Sequence, residues 1–160
     1  MRTISSLTGR NNYFEDFVVG AVYEHARGRT ITETDNHMIT HLVMNTAQGH
    51  FNEDRMAKTP FKHRINFGGI TASFIIGLAS EDTAEQALAE LGLDQIRFST
   101  PVYHGDTLYA YTEVLAKEDG DRPDAGVVRF RHVGINQDKK VVFTGERRVL
   151  IKRRSHWGAR

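Results

Sequence analysis

Residues 69–78 have the sequence GITASFIIGL, which is apolar on almost every side of a helix. A helix of this kind is enclosed by other elements instead of lying half exposed on a surface. The chain after it can supply the enclosure, because β-favouring runs separated by turn signals occupy residues 95–102, 107–116, 127–133 and 141–152. Their order predicts an antiparallel meander. The whole pattern predicts an α+β domain with a curled sheet wrapped around a central apolar helix.

The chain before the central helix predicts one strand and one further helix. Residues 22–31 favour a strand, and TETD at 32–35 is typical of a capping box that starts a helix over residues 33–45. The buried stripe of that helix is predicted to contain Met38, Leu42 and Val43. A strand before an enclosed helix and a run of strands after it give the hot dog architecture. Because a small curled sheet leaves an edge strand open, we expect a homodimer or a dimer of dimers.

Length and composition indicate a single domain, and they do not indicate a nucleic acid or a membrane surface as a partner. The 160 residues fit one domain, which we place at residues 13–152, between a flexible arm at 1–12 and a basic tail at 153–160. The formal net charge is +1, so global charge indicates neither nucleic acid nor a membrane surface as a partner. The chain has no cysteine, no apolar leader and no apolar run of transmembrane length, and we therefore expect a cytoplasmic protein.

The stretch between the two helices carries the candidate chemistry. It places His50 beyond the end of the first helix, and it ends in Gly68 and Gly69 at the start of the central helix. Histidine can exchange a proton near neutral pH. The first N–H groups of a helix lack intrahelical partners and can stabilise a developing oxyanion. These two features suit chemistry next to a thioester carbonyl, and they indicate an enzyme acting on an acyl thioester.

Several short motifs support this interpretation. They are His50 followed by NED at 52–54, AKTPF at 57–61, GGITAS at 68–73, RFSTPV at 97–102 and GDTL at 105–108. In these motifs the chain resembles the MaoC-like dehydratases, the (R)-specific enoyl-CoA hydratase family of the hot dog superfamily. The resemblance implies a carbon–oxygen lyase that reversibly adds water across the α,β double bond of an enoyl-CoA. It implies no metal and no separate cofactor, because coenzyme A is part of the substrate.

The resemblance assigns catalytic roles to His50, Asn45 and Gly68. In the family, an aspartate and the histidine hold a water molecule over the double bond, and a glycine N–H equivalent to that of Gly68 binds the thioester oxygen. The aspartate position is Asn45 in this chain, and an amide can orient water but cannot take its proton. Three consequences stay open. The substrate brings its own carboxylate, as mesaconyl-, itaconyl- or β-methylmalyl-CoA would; His41 replaces the missing group; or hydration has been lost. We favour the first.

Candidate substrate contacts surround these residues. They are Gly69 and Thr71 at the helix start, Phe67 and Phe51 beside an acyl chain, and Arg64 against coenzyme A phosphate or a substrate carboxylate.

Two other activities are compatible with the sequence. Thioester hydrolysis would need a carboxylate, for which Glu53 and Asp54 are the candidates, and a non-catalytic acyl-CoA binding protein would tolerate Asn45. His37 and His41 have the i, i+4 spacing of metal ligands, but the sequence offers no convincing third ligand. We therefore predict no metal site.

Overall fold

A computed structural model of the chain describes residues 2–4 and 12–158. The strands are β1 (Arg2–Ile4), β2 (Val22–Thr30), β3 (Ala87–Phe98), β4 (Thr107–Asp119), β5 (Ala125–Ile135) and β6 (Val141–Lys152). The helices are α1 (Glu33–Leu42), α2 (Gln48–Phe51), α3 (Glu53–Ala57), α4 (Gly68–Thr83) and α5 (Arg154–Trp157).

One sheet of six strands, in the order β1-β2-β4-β5-β6-β3, packs around α4. The short β1 pairs parallel to β2, and the other neighbours pair antiparallel. The predicted α+β architecture, a curled sheet around a central apolar helix, is therefore confirmed.

Helix α4 is enclosed by the sheet along one continuous face. Ile70, Ile75 and Ala79 are completely buried. At Gly134 in β5 an added Cβ would lie 2.5 Å from the side chain of Ile75, so glycine is required where the sheet approaches the helix most closely. Although α4 is the longest described helix, none of the helices in residues 12–158 is long and apolar enough to cross a membrane.

The predicted meander is correct for β4, β5 and β6 but wrong for the strand before them. The predicted strand at 95–102 overlaps only the end of β3, which begins at Ala87 and pairs with β6 instead of β4. The segment 87–94 contains no β-branched residue. Its extended conformation results from pairing with a strand about 50 positions later in the chain, which local propensity does not reveal.

The predicted buried stripe of α1 is wrong. Met38, Leu42 and Val43 are 58%, 77% and 54% exposed, whereas Asn36 and Thr40 are completely buried. The inner face is polar because its groups have hydrogen-bond partners, for example the Thr40 hydroxyl, which donates to the carbonyl of Asn36 at 2.5 Å. The helix also ends at Leu42, earlier than predicted.

The segments outside the predicted domain contain regular structure where they are described. The arm at 1–12 contributes strand β1, and residues 1 and 5–11 lie outside the described part of the chain. The tail at 153–160 contributes α5, and its two described arginines are paired: Arg153 with Asp119, and Arg154 with Asp16. Residues 159–160 lie outside the description.

A chain of buried polar side chains links α4 to three strands. His25 Nδ1 lies 2.7 Å from Asp82 Oδ2, and its Nε2 lies 2.6 Å from Thr112 Oγ1. The same hydroxyl lies 2.8 Å from His132 Nδ1. All four residues are at most 3% exposed. Burial, reinforced by the charges of Arg147 and His25, lowers the pKa of His132 to about 3.

Candidate active site

His50 has one imidazole nitrogen bonded to the backbone and the other one free. It lies in α2, and its Nδ1–H donates a 2.8 Å hydrogen bond to the carbonyl oxygen of Ile65. Because a carbonyl only accepts, the partner assigns the proton of the neutral ring to Nδ1 and leaves a lone pair on Nε2. The ring of Phe67 packs edge-on against His50, with centroids 5.7 Å apart. The orientation of a potential base is thus fixed from two sides.

Gly68 is the first residue of α4 and presents its N–H without an intrahelical acceptor. The N-cap residue, Phe67, makes no side-chain cap to the helix. The first N–H groups of α4 therefore carry the partial positive charge of the helix N-terminus and are available to an external oxygen. Gly69 has a packing role, because an added Cβ would lie 2.5 Å from the ring of Phe67. At Gly68 an added Cβ would lie 3.3 Å from Phe98.

His50 and Gly68 open onto the same cleft, which has a volume of about 330 Å³. Most of its other lining side chains are apolar, and it reaches from the loop before α4 to the end of the edge strand β3. The lining residues are His50, Phe61, Ile65, Asn66, Gly68, Thr71, Phe98, Ser99, Thr100, Pro101, Val102 and Val142. Ligand pockets commonly combine an apolar wall with a few polar groups in this way.

A single buried amide connects the two halves of the site. The Nδ2–H of Asn36 donates to the backbone oxygen of His50 at 3.1 Å, and its Oδ1 accepts from the backbone N–H of Phe67 at 3.1 Å. Asn36 therefore holds the helix of the imidazole against the residue that precedes Gly68. The sequence did not predict this role of Asn36. The one indication in the sequence is that Asn36 and Thr40, two polar residues four positions apart, share one face of α1.

Asn66 is a second polar residue that the sequence analysis missed. Its Nδ2–H donates to the backbone oxygen of Phe67 at 3.2 Å and to Thr71 Oγ1 at 3.0 Å. Thr71, a predicted substrate contact, lies in the cleft wall, and this hydrogen bond holds its hydroxyl. The Oδ1 atom of Asn66 is buried, and no residue in 2–4 or 12–158 forms a hydrogen bond with it.

Asn45 lies beside the site but not in the cleft wall. Its Oδ1 accepts a 3.2 Å hydrogen bond from the backbone N–H of Ala47, and its own N–H donates to the carbonyl of Thr40. The side chain thus forms a local turn between α1 and α2, a frequent role of asparagine. No described contact joins Asn45 to His50.

Arg64 lies outside the cleft, and its guanidinium is engaged by other side chains. Nε donates to Glu53 at 2.9 Å, Nη2 to Glu33 at 2.5 Å, and Nη1 to Nε2 of His37 at 3.0 Å. Hydrogen bonds from Arg64 lower the pKa of Glu33 and, in return, raise the pKa of Arg64. Three of its five N–H donors are thus engaged, and Arg64 does not line the cleft of His50 and Gly68. Its contact with phosphate or with a substrate carboxylate stays a prediction.

The two carboxylates considered for thioester hydrolysis are also placed elsewhere. The side chain of His63, together with Arg64, lowers the pKa of Glu53 to about 2 through hydrogen bonds. Such a carboxylate is a weak base. Asp54 is exposed and pairs with Lys58 at 2.8 Å. Neither carboxylate lines the cleft that contains His50 and Gly68.

Phe51 does not line the cleft, and its ring packs against two histidines of α1. Its ring stacks on His37 at 6.0 Å and meets His41 edge-on at 5.2 Å. This contact accounts for the i, i+4 histidine pair, and His41 is not placed in the cleft wall. No group of three or more potential metal ligands occurs among the described residues.

The comparisons with known proteins agree with this geometry. A family model described as mesaconyl-CoA hydratase matches residues 7–153. The chain belongs to this family. The mesaconyl-CoA hydratase of Haloarcula marismortui is 35% identical over 155 residues, which cover 88% of this chain and 42% of that protein. The β-methylmalyl-CoA dehydratase of Chloroflexus aurantiacus is 33% identical over 162 residues, covering 91% of this chain and 46% of that protein.

A shorter relative aligns over nearly its whole length. The (R)-specific enoyl-CoA hydratase of Rhodospirillum rubrum is 33% identical over 144 residues, which cover 89% of this chain and 94% of that protein. The chain therefore spans less than half of its longer family relatives but almost all of this enzyme. The resemblance to MaoC-like and (R)-specific hydratases is confirmed.

Solved structures confirm the hot dog fold. A Mycobacterium tuberculosis protein with a double hot dog fold superposes with a TM-score of 0.80 at 22% identity, covering 92% of this chain and 46% of that one. A monoamine oxidase regulatory protein from Archaeoglobus superposes with a TM-score of 0.82 at 29% identity, covering 92% of this chain and 98% of that one.

Proposed function

We propose that this chain reversibly adds water across the α,β double bond of an enoyl-CoA, with an acyl group of the mesaconyl type. The observation that carries the proposal is the shared cleft, which is lined by His50, whose Nδ1 is bonded to Ile65, and by Gly68 at the uncapped N-terminus of α4. The longer relatives, a mesaconyl-CoA hydratase and a β-methylmalyl-CoA dehydratase, support a branched, carboxylated acyl group. The reaction needs no redox cofactor, because water is added without net oxidation or reduction, and the proposed mechanism uses no metal.

The proposed chemistry begins at the helix N-terminus. The thioester oxygen accepts a hydrogen bond from the N–H of Gly68, which withdraws electrons from the double bond and stabilises the enolate that forms. A water oxygen then bonds to the β-carbon while His50 Nε2 takes one of its protons. The π electrons of the double bond move to the enolate. His50 finally delivers the proton to the α-carbon, and the product is a 3-hydroxyacyl-CoA.

The acyl pocket would recognise a carboxylate through the hydroxyl of Ser99. None of the described residues that line the cleft is lysine or arginine, Ser99 is exposed, and the hydroxyl of Thr100 already donates to the carbonyl of Val141 at 2.8 Å. A simple enoyl-CoA would fit the apolar wall without these contacts. A comparison of crotonyl-CoA with mesaconyl-CoA therefore measures how much the carboxylate contributes to kcat/KM.

The direct test follows the enoyl absorbance and free thiol in parallel. Loss of absorbance without thiol release would support hydration; thiol release would indicate hydrolysis; and binding without either signal would indicate a non-catalytic protein. We expect His50→Ala to lower kcat by about 10²–10⁴-fold, the usual contribution of a general acid–base. His41→Ala is the matched control, since this histidine packs on Phe51 outside the cleft. Wild-type turnover by His50→Ala would eliminate the proposed mechanism.

We further propose that the chain works as a homodimer in the cytoplasm. The edge strand β3 exposes large apolar side chains: Leu91, Leu93, Ile96 and Phe98. Unpaired edges with apolar side chains are rarely left open to water. The double-length relatives support a second copy of this domain as the cover. Phe98 also lines the cleft, so a partner at β3 would help to close the site.

Light scattering after size-exclusion chromatography tests this arrangement. The wild-type chain should have twice the monomer mass. Ile96→Asp should shift it towards the monomer and lower kcat/KM, because the cleft loses its cover. Val19→Asp places the same charge at an exposed residue outside β3 and serves as the control. A monomeric wild-type protein with full activity would contradict the dimer.

A further inference from the structure

Asn66 lines the cleft, and its buried amide oxygen has no hydrogen-bond partner in the described part of the chain. We propose that its amide oxygen accepts a hydrogen bond from the water molecule that is added to the double bond, which makes Asn66 a further residue of the active site. The inference rests on the proposed hydratase function and deepens it, because it identifies the group that holds the nucleophile together with His50.

The orientation of the Asn66 amide follows from its partners. The backbone oxygen of Phe67 can only accept a hydrogen bond, so the NH₂ group must be the end that lies 3.2 Å from it. The same NH₂ group donates to Thr71 Oγ1. The carbonyl end, Oδ1, is therefore directed elsewhere. Asn66 is only 5% exposed, and its Oδ1 has no hydrogen-bond partner among the described residues. Native proteins rarely leave a buried acceptor unpaired, and such a group calls for an explanation.

The surroundings of Asn66 identify the missing donor. The preceding residue, Ile65, accepts the Nδ1–H of His50 through its carbonyl, so Asn66 follows directly on the group that orients the base. Both Asn66 and His50 line the cleft. A donor that enters this cleft is thus the natural partner of Oδ1.

Water fits this donor role because it has two hydrogens with different fates. One is transferred to Nε2 of His50 during addition. The other stays on the oxygen and becomes the hydroxyl hydrogen of the product. An amide oxygen can accept a hydrogen bond from this second hydrogen without competing for it as a base. In the dehydration direction, the same oxygen would orient the 3-hydroxyl group of the substrate.

The alternative residue, Asn45, is less suited to this role in the structure. Its acceptor is engaged by the N–H of Ala47, and the residue does not line the cleft. In this proposal the role that the resemblance assigned to Asn45 therefore belongs to Asn66, which follows His50 in the sequence.

Two substitutions and one control test the proposal. Asn66→Ala removes the amide, and Asn66→Leu replaces it with an apolar side chain of similar volume, so that one remains informative if the other folds poorly. Asn12→Ala removes a different buried amide, which bonds to the carbonyl of Glu81 near the far end of α4. Each protein is assayed for kcat with the enoyl-CoA that the wild type hydrates best. Its Kd for butyryl-CoA, a saturated analogue that accepts no water, is measured by calorimetry.

We expect both Asn66 variants to lose about 10- to 100-fold in kcat, the range of one buried hydrogen bond made in the transition state. Their Kd for butyryl-CoA should stay within about twofold of wild type, because the analogue makes no use of the nucleophile. The Asn12→Ala variant should keep both values. Unchanged kcat in the Asn66 variants would overturn the inference, and so would a parallel loss of kcat and butyryl-CoA affinity, which indicates a structural role. A wild-type protein that hydrates no enoyl-CoA would instead overturn the proposed function itself.

Discussion

Acid should destabilise this protein through His132, and the effect can be isolated. Burial lowers the pKa of His132 from 6.5 to about 3 in the folded state. The folded protein therefore binds fewer protons at this site than the unfolded chain, so stability is complete above pH 6.5 and falls as the pH drops from 6.5 towards 3.

The magnitude follows from the two pKa values. At pH 5 the imidazole of the unfolded chain is almost fully protonated, whereas the folded one is almost fully neutral. Each pH unit below 6.5 costs about 1.4 kcal/mol, so the site lowers the free energy of unfolding by about 2 kcal/mol between pH 7.5 and pH 5. This value does not depend on the exact folded pKa, provided that it lies below about 4.

The assay compares urea unfolding of the wild type and of His132→Asn at both pH values. Asparagine can place its amide near the position of Nδ1 and keep a hydrogen bond to Thr112, but it does not titrate. We expect the variant to lose about 2 kcal/mol less than the wild type on acidification. His156→Asn removes an exposed histidine and controls for composition. Equal losses in the wild type and in His132→Asn would refute the reasoning.

Two further predictions concern the frame of the cleft. Asn36→Ala should lower kcat by about 10-fold or more and destabilise the fold by about 1–3 kcal/mol, because it leaves the backbone oxygen of His50 and the N–H of Phe67 unpaired. Turnover measures the first effect and urea unfolding the second. Unchanged turnover would show that Asn36 does not position the base. Gly69→Ala should destabilise the protein by about 1–3 kcal/mol, because the new Cβ clashes with Phe67. Gly77→Ala has open space around the new Cβ and should stabilise the protein by up to about 1 kcal/mol. Thermal unfolding distinguishes the two variants, and equal changes in Tm would contradict the clash.

Local pattern predicted the elements whose identity depends on local chemistry. The apolar character of residues 69–78 correctly predicted the central helix, and the capping box at 32–35 correctly predicted the start of α1. The expected enclosure of the central helix on most sides is wrong for its outer face, where Ser73 and Gly77 are exposed. The same pattern failed for the inner face of α1. There Asn36 is buried because its partners, His50 and Phe67, come from distant positions that no local period encodes.

The residues of the candidate site likewise include some that local sequence could predict and some that it could not. His50 and Gly68 could be placed near each other because a helix start and a nearby imidazole are visible in the sequence. Arg64 could not be excluded from the site, since its partners Glu33 and Glu53 are separated from it by 31 and 11 positions. Asn66 has no motif of its own, and its importance appears only as an unpaired buried atom.

The hydrogen bonds of Asn36 help to hold the reacting groups in position, so the residues that shape the cleft wall do not have to do this as well. The spacing between imidazole and helix N-terminus is set by Asn36 of α1 and by the contacts of His50 with Ile65 and Phe67. None of these residues lies in the stretch 58–63 of the connection between α3 and α4. Residues 58–63 of that connection can therefore vary in length and composition, and with them the wall around Phe61, while the reacting groups keep their positions. New acyl specificities could be introduced into this stretch, by evolution or by design, without rebuilding the machinery that adds the water.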